Sequence, residues 1–191
     1  MRNIEFKARL RDRDAAVRTA LDLGAEDRGD LAQTDIYFHA RSGRLKLRLT
    51  GDARGGQLVA YDREDQAAAR RSDYDIAVVG DAEALESALR RALGVRCVVR
   101  KIRRLFLWKN IRLHIDRVEG LGDFLEFEAV VDSAGQEAQA STDLAELTER
   151  FGVRPEDMES HSYGDMMDGA DAERHRSSAM REPRNCSGAT A

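Results

Sequence analysis

What most limits this chain is a series of short segments in which full charges alternate with large apolar residues. Ile4–Leu10 sets Glu5, Lys7 and Arg9 against Ile4, Phe6, Ala8 and Leu10, and Arg44–Leu49 sets Arg44, Lys46 and Arg48 against three leucines. Ile111–Arg117 opposes Arg112, His114 and Asp116 to Ile111, Leu113 and Ile115. Phe124–Val131 opposes Glu126 and Glu128 to Leu125, Phe127, Ala129 and Val131. Lys101 and Arg103 share a face of another such segment, and Arg63 closes the one containing Val59 and Tyr61. Successive side chains of a β-strand point to opposite faces. Each segment is therefore a strand with one oily side and one ionic side.

The period-2 stretches are Asn3–Leu10, Thr34–His39, Arg44–Thr50, Gln57–Arg63, Asp73–Val79, Val95–Leu107, Ile111–Val118 and Phe124–Val131. Helical spacing of apolar residues marks Arg13–Leu23, Asp81–Leu93 and Thr142–Phe151, each followed by glycine, and Pro155 suits the first turn of a segment running toward Met167. The order is strand, helix and three strands, twice over, then helices. Residues 1–65 and 72–132 thus read as two βαβββ halves, a repeat of architecture and not of sequence. The fold expected is α+β: a closed antiparallel eight-stranded β-barrel with flanking helices.

Two arrangements suit the alternation. The ionic face of an antiparallel sheet can lie in water, or it can turn inward and line a wet barrel. Two features favour the second. The polar positions hold almost no Ser, Thr, Asn or Gln, and their signs are sorted by strand. Only four of the 31 basic residues are lysines, and three of them, Lys7, Lys46 and Lys101, fall on these faces; a compact ammonium acts on phosphate as a point charge. The expected lining carries eight cations (Lys7, Arg9, Lys46, Arg48, Arg63, Lys101, Arg103 and Arg112) against four carboxylates (Glu5, Asp116, Glu126 and Glu128), a surplus of four positive charges. Isolated buried charges are costly, so such a lumen calls for an anion. A polyphosphate with a divalent metal fits, the cations on phosphate oxygens and the carboxylates on the metal.

Composition closes off other classes. A net charge of −4 makes no polycation for nucleic acid, and Phe6, Phe106 and Phe127 oppose the charged positions instead of interleaving with them, as a single-strand binder would require. No apolar stretch approaches the ~20 residues that cross a bilayer, and no basic-then-apolar signal opens the chain; a cytoplasmic protein without membrane contact is expected. Cys97, in the apolar run Val95–Val99, reads as a core residue, and Cys186 lies in a polar segment. Residues 169–191 lack apolar periodicity and are expected to form a disordered tail after a domain of residues 1–168.

The segment Asn3-Ile4-Glu5-Phe6-Lys7 resembles the E-x-E-x-K signature of the CYTH superfamily. Further blocks follow in the family's order: Gln33-Thr34-Asp35-Ile36-Tyr37-Phe38, Leu45-Lys46-Leu47-Arg48, Tyr61-Asp62-Arg63 and Lys101-Ile102-Arg103-Arg104. They continue with His114-Ile115-Asp116-Arg117-Val118-Glu119-Gly120-Leu121-Gly122, Phe124-Leu125-Glu126-Phe127-Glu128 and Ser162-Tyr163-Gly164-Asp165-Met166-Met167. The resemblance spans about residues 2–168 and is greatest to the class IV adenylate cyclase branch. It implies a triphosphate tunnel fold.

The resemblance also implies roles. Glu5, Glu126 and Glu128, with Asp116 as partner, match metal-binding carboxylates for Mg2+ or Mn2+. Lys7, Lys46, Arg48, Arg63, Lys101 and Arg103 match phosphate-binding cations, and Glu5, Lys7, Glu126 and Glu128 are the implied catalytic set. Tyr163 falls in the element that covers the tunnel in relatives, either as a lid and substrate contact or packed on the barrel wall. The implied reaction converts ATP to cyclic AMP and pyrophosphate. The alternatives are hydrolysis of thiamine, nucleoside or inorganic triphosphate, or a non-catalytic triphosphate sensor. A homodimer is compatible with the resemblance, but no interface is legible. One residue departs from the pattern: Asn3 offers a neutral oxygen where the signature has a carboxylate, which weakens one metal site. His114, on the face of Asp116, is expected to serve as a structural hydrogen bonder.

Overall fold

The computed structural model describes residues 2–51, 54–63, 70–131 and 134–170. In chain order its elements are β1 (Arg2–Arg9), α1 (Arg13–Asp22), β2 (Glu26–Phe38), β3 (Arg44–Thr50), β4 (Gly56–Arg63), β5 (Arg70–Val79), α2 (Ala82–Leu93), β6 (Val95–Trp108), β7 (Ile111–Val118), β8 (Gly122–Val130) and α3 (Ala134–Arg150). A short 3-10 turn, Pro155–Asp157, and a helical segment over 163–170 follow. Asp12 and Asp81 start α1 and α2 by accepting the backbone N–H groups of Ala15 and Ala84, which supplies helix-end donors with partners.

The eight strands form one antiparallel sheet curled on itself in the order β1-β5-β4-β3-β2-β6-β7-β8. The first strand of each half joins the other half: β1 pairs with β8 and β5 pairs with β4. Where β1 meets β5 the pairing covers only Arg2–Glu5. Beyond Glu5 that side of β1 is taken by the C-terminal segment, through a bridge from Ala8 to Met158 and the Glu159 N–H on the Lys7 carbonyl. The curled sheet is thus joined strand to strand along only half of β1.

The apolar faces turn outward, where helices cover them. Ile4, Phe6, Leu113 and Phe127 pack with Ala16 and Ala20 of α1 and Leu144 and Leu147 of α3, and Phe6 and Phe127 stack with centroids 5.6 Å apart. Ile36, Phe38 and Leu47 pack under Ala82, Leu85 and Leu89 of α2. Each fully buried large side chain contributes about 1.5–3 kcal/mol. Among the described outward side chains of β4 and β5, only Val79 joins these clusters.

Three boundaries differ from expectation. β2 begins at Glu26, because its first residues pair with Phe106 and Leu107 across a bulge between Asp27 and Asp30 despite lacking alternation. α3 begins at Ala134, since its polar, alanine-rich first turns have helix propensity without an apolar stripe. The helix expected from Pro155 to Met167 is broken into the 3-10 turn and the 163–170 segment. Of the segment expected as a disordered tail, residues 169 and 170 end that last helix, and 171–191 lie outside the described residues.

Candidate functional site

The inward faces of the strands enclose a cavity which, with its open mouth, holds about 830 Å³. Lys7, Lys46, Arg48, Lys101, Arg103, Glu5, Glu126 and Glu128 all line it, so the ionic sides of four strands converge, as alternation requires once the oily sides are committed to helices. Among the expected cations, Arg9 and Arg112 stand at the rims. Arg9 pairs with Glu159 and Arg112 with Glu128. The Arg63 side chain lies outside the described residues.

Two clusters fix most of the interior cations. On β2 and β3, Asp35 accepts from Lys46 Nζ at 3.0 Å, from Arg48 Nε at 2.7 Å and from Arg48 Nη2 at 2.8 Å. On β6 and β7, Asp116 accepts from Lys101 Nζ at 3.1 Å, Arg103 Nε at 2.7 Å and Arg103 Nη2 at 2.5 Å. Each is a Lys-x-Arg pair on one strand closed by an aspartate on the next. Asp35 went unassigned in the sequence; the available signal was two inward cations with no local counterion. Asp116 is fully buried, and its Oδ2 also accepts the Tyr163 hydroxyl at 3.1 Å. Both its oxygens are taken by cations, so the expected metal-ligand role does not suit it. The expected surplus of four positive charges is also corrected. Among the described interior residues, Lys7, Lys46, Arg48, Lys101 and Arg103 face Glu5, Asp35, Asp116, Glu126 and Glu128. A low-dielectric wall keeps a cation only with a counterion beside it.

Burial and the neighbouring Arg48 push the Lys46 ammonium down to about 7, and burial with Arg103 pushes Lys101 down to about 8. Burial alone would raise Glu126, but Lys7 and Arg103 override it and hold the carboxyl well below its usual range. Lys7 Nζ lies 3.0 Å from Glu126 Oε1, and Arg103 Nη2 lies 2.5 Å from Oε2. His114 is buried, with Nδ1 3.6 Å from Glu126 and Nε2 3.8 Å from Glu128. Burial and Arg103 lower its pKa, so the ring is neutral at pH 7. Its Nδ1 makes no hydrogen bond, short of the structural role expected.

Asn3, on the buried inner face of β1, donates from Nδ2 to Glu128 Oε1 and accepts the Tyr74 hydroxyl at 3.1 Å. It holds a carboxylate instead of adding one. Glu5 and Glu128 are direct cross-strand partners. Like charges so placed repel, and a hard cation relieves that repulsion. Among the described residues no three His, Cys, Asp or Glu side chains form a ready metal cage. Mg2+ is commonly held by one or two carboxylates plus phosphate oxygens and water, and the Glu5–Glu128 pair fits that mode, whereas both oxygens of the expected ligand Glu126 are held by Lys7 and Arg103.

The 163–170 helix closes one end. Tyr163 is buried with its ring under two ammonium groups, Lys7 at 3.8 Å and Lys101 at 4.8 Å from the centroid. Asp165 ties the helix to Arg44 and Arg96, and Asp168 ties it to Arg96 again. Gly164 allows the close approach, because a Cβ there would meet the Tyr37 ring at 3.2 Å. Tyr163 lines the cavity beside Ser162, a position that suits both readings of it, lid and wall.

Comparison with known proteins agrees with this architecture. The CYTH domain family model matches residues 1–163. A Methanocaldococcus jannaschii protein named "Putative adenylate cyclase" is 26% identical over 172 residues, covering 85% of this chain and 97% of that one. The solved PH1012 protein of Pyrococcus horikoshii OT3 superposes with a TM-score of 0.74 at 25% identity, covering 85% of this chain and 98% of its own. A Hippeastrum protein named "Putative adenylyl cyclase", which reveals a dominant triphosphatase activity, shares the fold at a TM-score of 0.64 and 14% identity, over 90% of this chain and 96% of that chain. No described helix is long and apolar enough to cross a membrane.

Proposed function

We propose that this chain, which belongs to the CYTH domain family, is a divalent-metal-dependent enzyme acting on triphosphates, with conversion of ATP to cyclic AMP and pyrophosphate as its leading reaction. The observation that carries the reading is the pair of Lys-x-Arg clusters facing one another's cavity, with Lys7 beside them. Asp35 and Asp116 hold each arginine by one edge, which orients the guanidinium and leaves further donors for phosphate oxygens. Phosphoryl transfer needs mainly positioning and charge neutralisation, and these residues supply both.

Lys46, Arg48, Lys101 and Arg103 would grip the β- and γ-phosphates. Lys7, now on Glu126, would neutralise charge building on the leaving pyrophosphate. Glu5 and Glu128 would hold Mg2+ or Mn2+, with Asn3 keeping Glu128 in place, and Glu126 would join them once phosphate draws Lys7 and Arg103 away from its oxygens. Such an ion, when bound, supplies Lewis-acid polarisation of the phosphate and activation of the attacking oxygen. In the cyclase reaction the ribose 3′-hydroxyl gives its proton to water, its oxygen bonds to the α-phosphorus, and the bond to pyrophosphate breaks. Hydrolysis at the γ-phosphorus is the second reading, favoured by the triphosphatase activity of the Hippeastrum relative; the same wall serves both.

Incubating the protein with ATP and Mn2+ and separating the products by chromatography decides between them. Cyclic AMP with pyrophosphate is the expected result, and ADP with phosphate means triphosphatase. Binding without turnover would overturn both in favour of a sensor.

A further inference from the structure

We propose that the inner face of β4 and β5, formed by Gln57, Val59, Ile76 and Val78, is the subsite for the nitrogen heterocycle of an organic triphosphate; this rests on the triphosphate reading above. The sidedness of the barrel reverses there. Elsewhere the inward positions are dominated by charges, but on β5 they run Tyr74, Ile76, Val78, while Asp75 and Ala77 point outward. Ile76 is 43% exposed and lines the cavity, and Val78, the next residue on the same face of β5, is 86% exposed. Branched aliphatic residues are costly to leave facing water beside a charged wall, and they gain when a ligand covers them.

Register ties this patch to the cations. Lys46, Val59 and Ile76 lie side by side across three strands, and so do Arg48, Gln57 and Val78. Neighbouring strands are about 4.8 Å apart, which sets the aliphatic pair roughly 10 Å from the cations along the cavity wall. A ligand gripped through its phosphates by Lys46 and Arg48 would lay its organic end on Ile76 and Val78. Gln57 is exposed between Arg48 and Val78, and its amide offers both donors and an acceptor. That combination of two aliphatic surfaces and one amide edge matches a flat ring with polar nitrogens. Inorganic triphosphate could use none of it.

The test is calorimetric titration of the full chain with ATP and with inorganic triphosphate, each with Mg2+. It compares wild type with the Ile76→Ser/Val78→Ser double variant and with Gln57→Ala, circular dichroism confirming that each folds. Wild type should bind ATP at least tenfold more tightly than inorganic triphosphate. The double variant should reduce that advantage below threefold while shifting inorganic triphosphate less than twofold, and Gln57→Ala should weaken ATP alone by about threefold or more. An ATP advantage that survives the double variant, or none in wild type, overturns the subsite and leaves the triphosphate reading standing. Wild type that binds neither ligand overturns both.

Discussion

The clusters around Asp35 and Asp116 share one design: an aspartate, an arginine directly opposite it across the ladder, and a lysine two residues before that arginine. They differ in what surrounds them. Asp116 also receives the Tyr163 hydroxyl, and its Arg103 is shared with Glu126. Its cations are sealed, with side-chain exposures of 1% for Lys101 and 8% for Arg103, against 12% and 19% for Lys46 and Arg48. The same three residue types therefore do two jobs. The Asp116 cluster fastens the 163–170 helix to the sheet and stiffens one wall while still lining the cavity through Lys101 and Arg103; the Asp35 cluster presents two more accessible cations to the same cavity. A lysine–arginine pair on a strand can both clamp and grip, and the accessibility of its outer donors sets the balance between the two.

If that division holds, the largest effect should come from Asp116→Ala. It strands two buried cations and should cost about 3–5 kcal/mol of stability in denaturant titration. Asp35→Ala should cost less, on the order of 2 kcal/mol, because Lys46 and Arg48 can turn toward water. Equal losses at the two sites would erase the contrast.

The pH behaviour comes next. The empty protein's Lys46 loses its proton near pH 7 and Lys101 near pH 8. A bound triphosphate favours the charged forms. Its affinity should therefore fall as pH rises from 7 to 9, with net proton uptake on binding that grows over the same range. Calorimetry in buffers of different ionisation enthalpy reads that uptake, and proton release would contradict it. The smallest effect is expected for Tyr163→Phe, which removes one bond to Asp116 and should lower stability by about 1 kcal/mol without changing triphosphate affinity more than a few fold.

Much of this was readable one strand at a time. Lys7, Lys46 and Glu126 alternate with apolar neighbours, and period 2 is a local property, so each one's place on an ionic face followed from the sequence, while the sorted charges and not the alternation argued that this face turns inward. Asp35 was harder. Its partner lies 13 residues away on β3, and only the register between strands reveals that it neutralises cations which the sequence left in surplus. The same holds for Asn3, whose meaning depends on β8 supplying Glu128 and β5 supplying Tyr74. The apolar inner face of β5 escaped because strand alternation names two faces without saying which one is inside. The first turns of α3 carry no apolar stripe to announce them.

The claim beneath all of this is that the held cations of β3 grip phosphate. Replacing Asp35, Lys46 and Arg48 together by Leu, Met and Met exchanges a charged cluster for an apolar one of similar bulk, a change that folds tolerate. Calorimetric titration with inorganic triphosphate then reads the consequence. Saturable, salt-sensitive binding is expected of the wild type and none of the folded triple variant; a triple variant that binds as tightly as wild type would contradict a phosphate grip on β3.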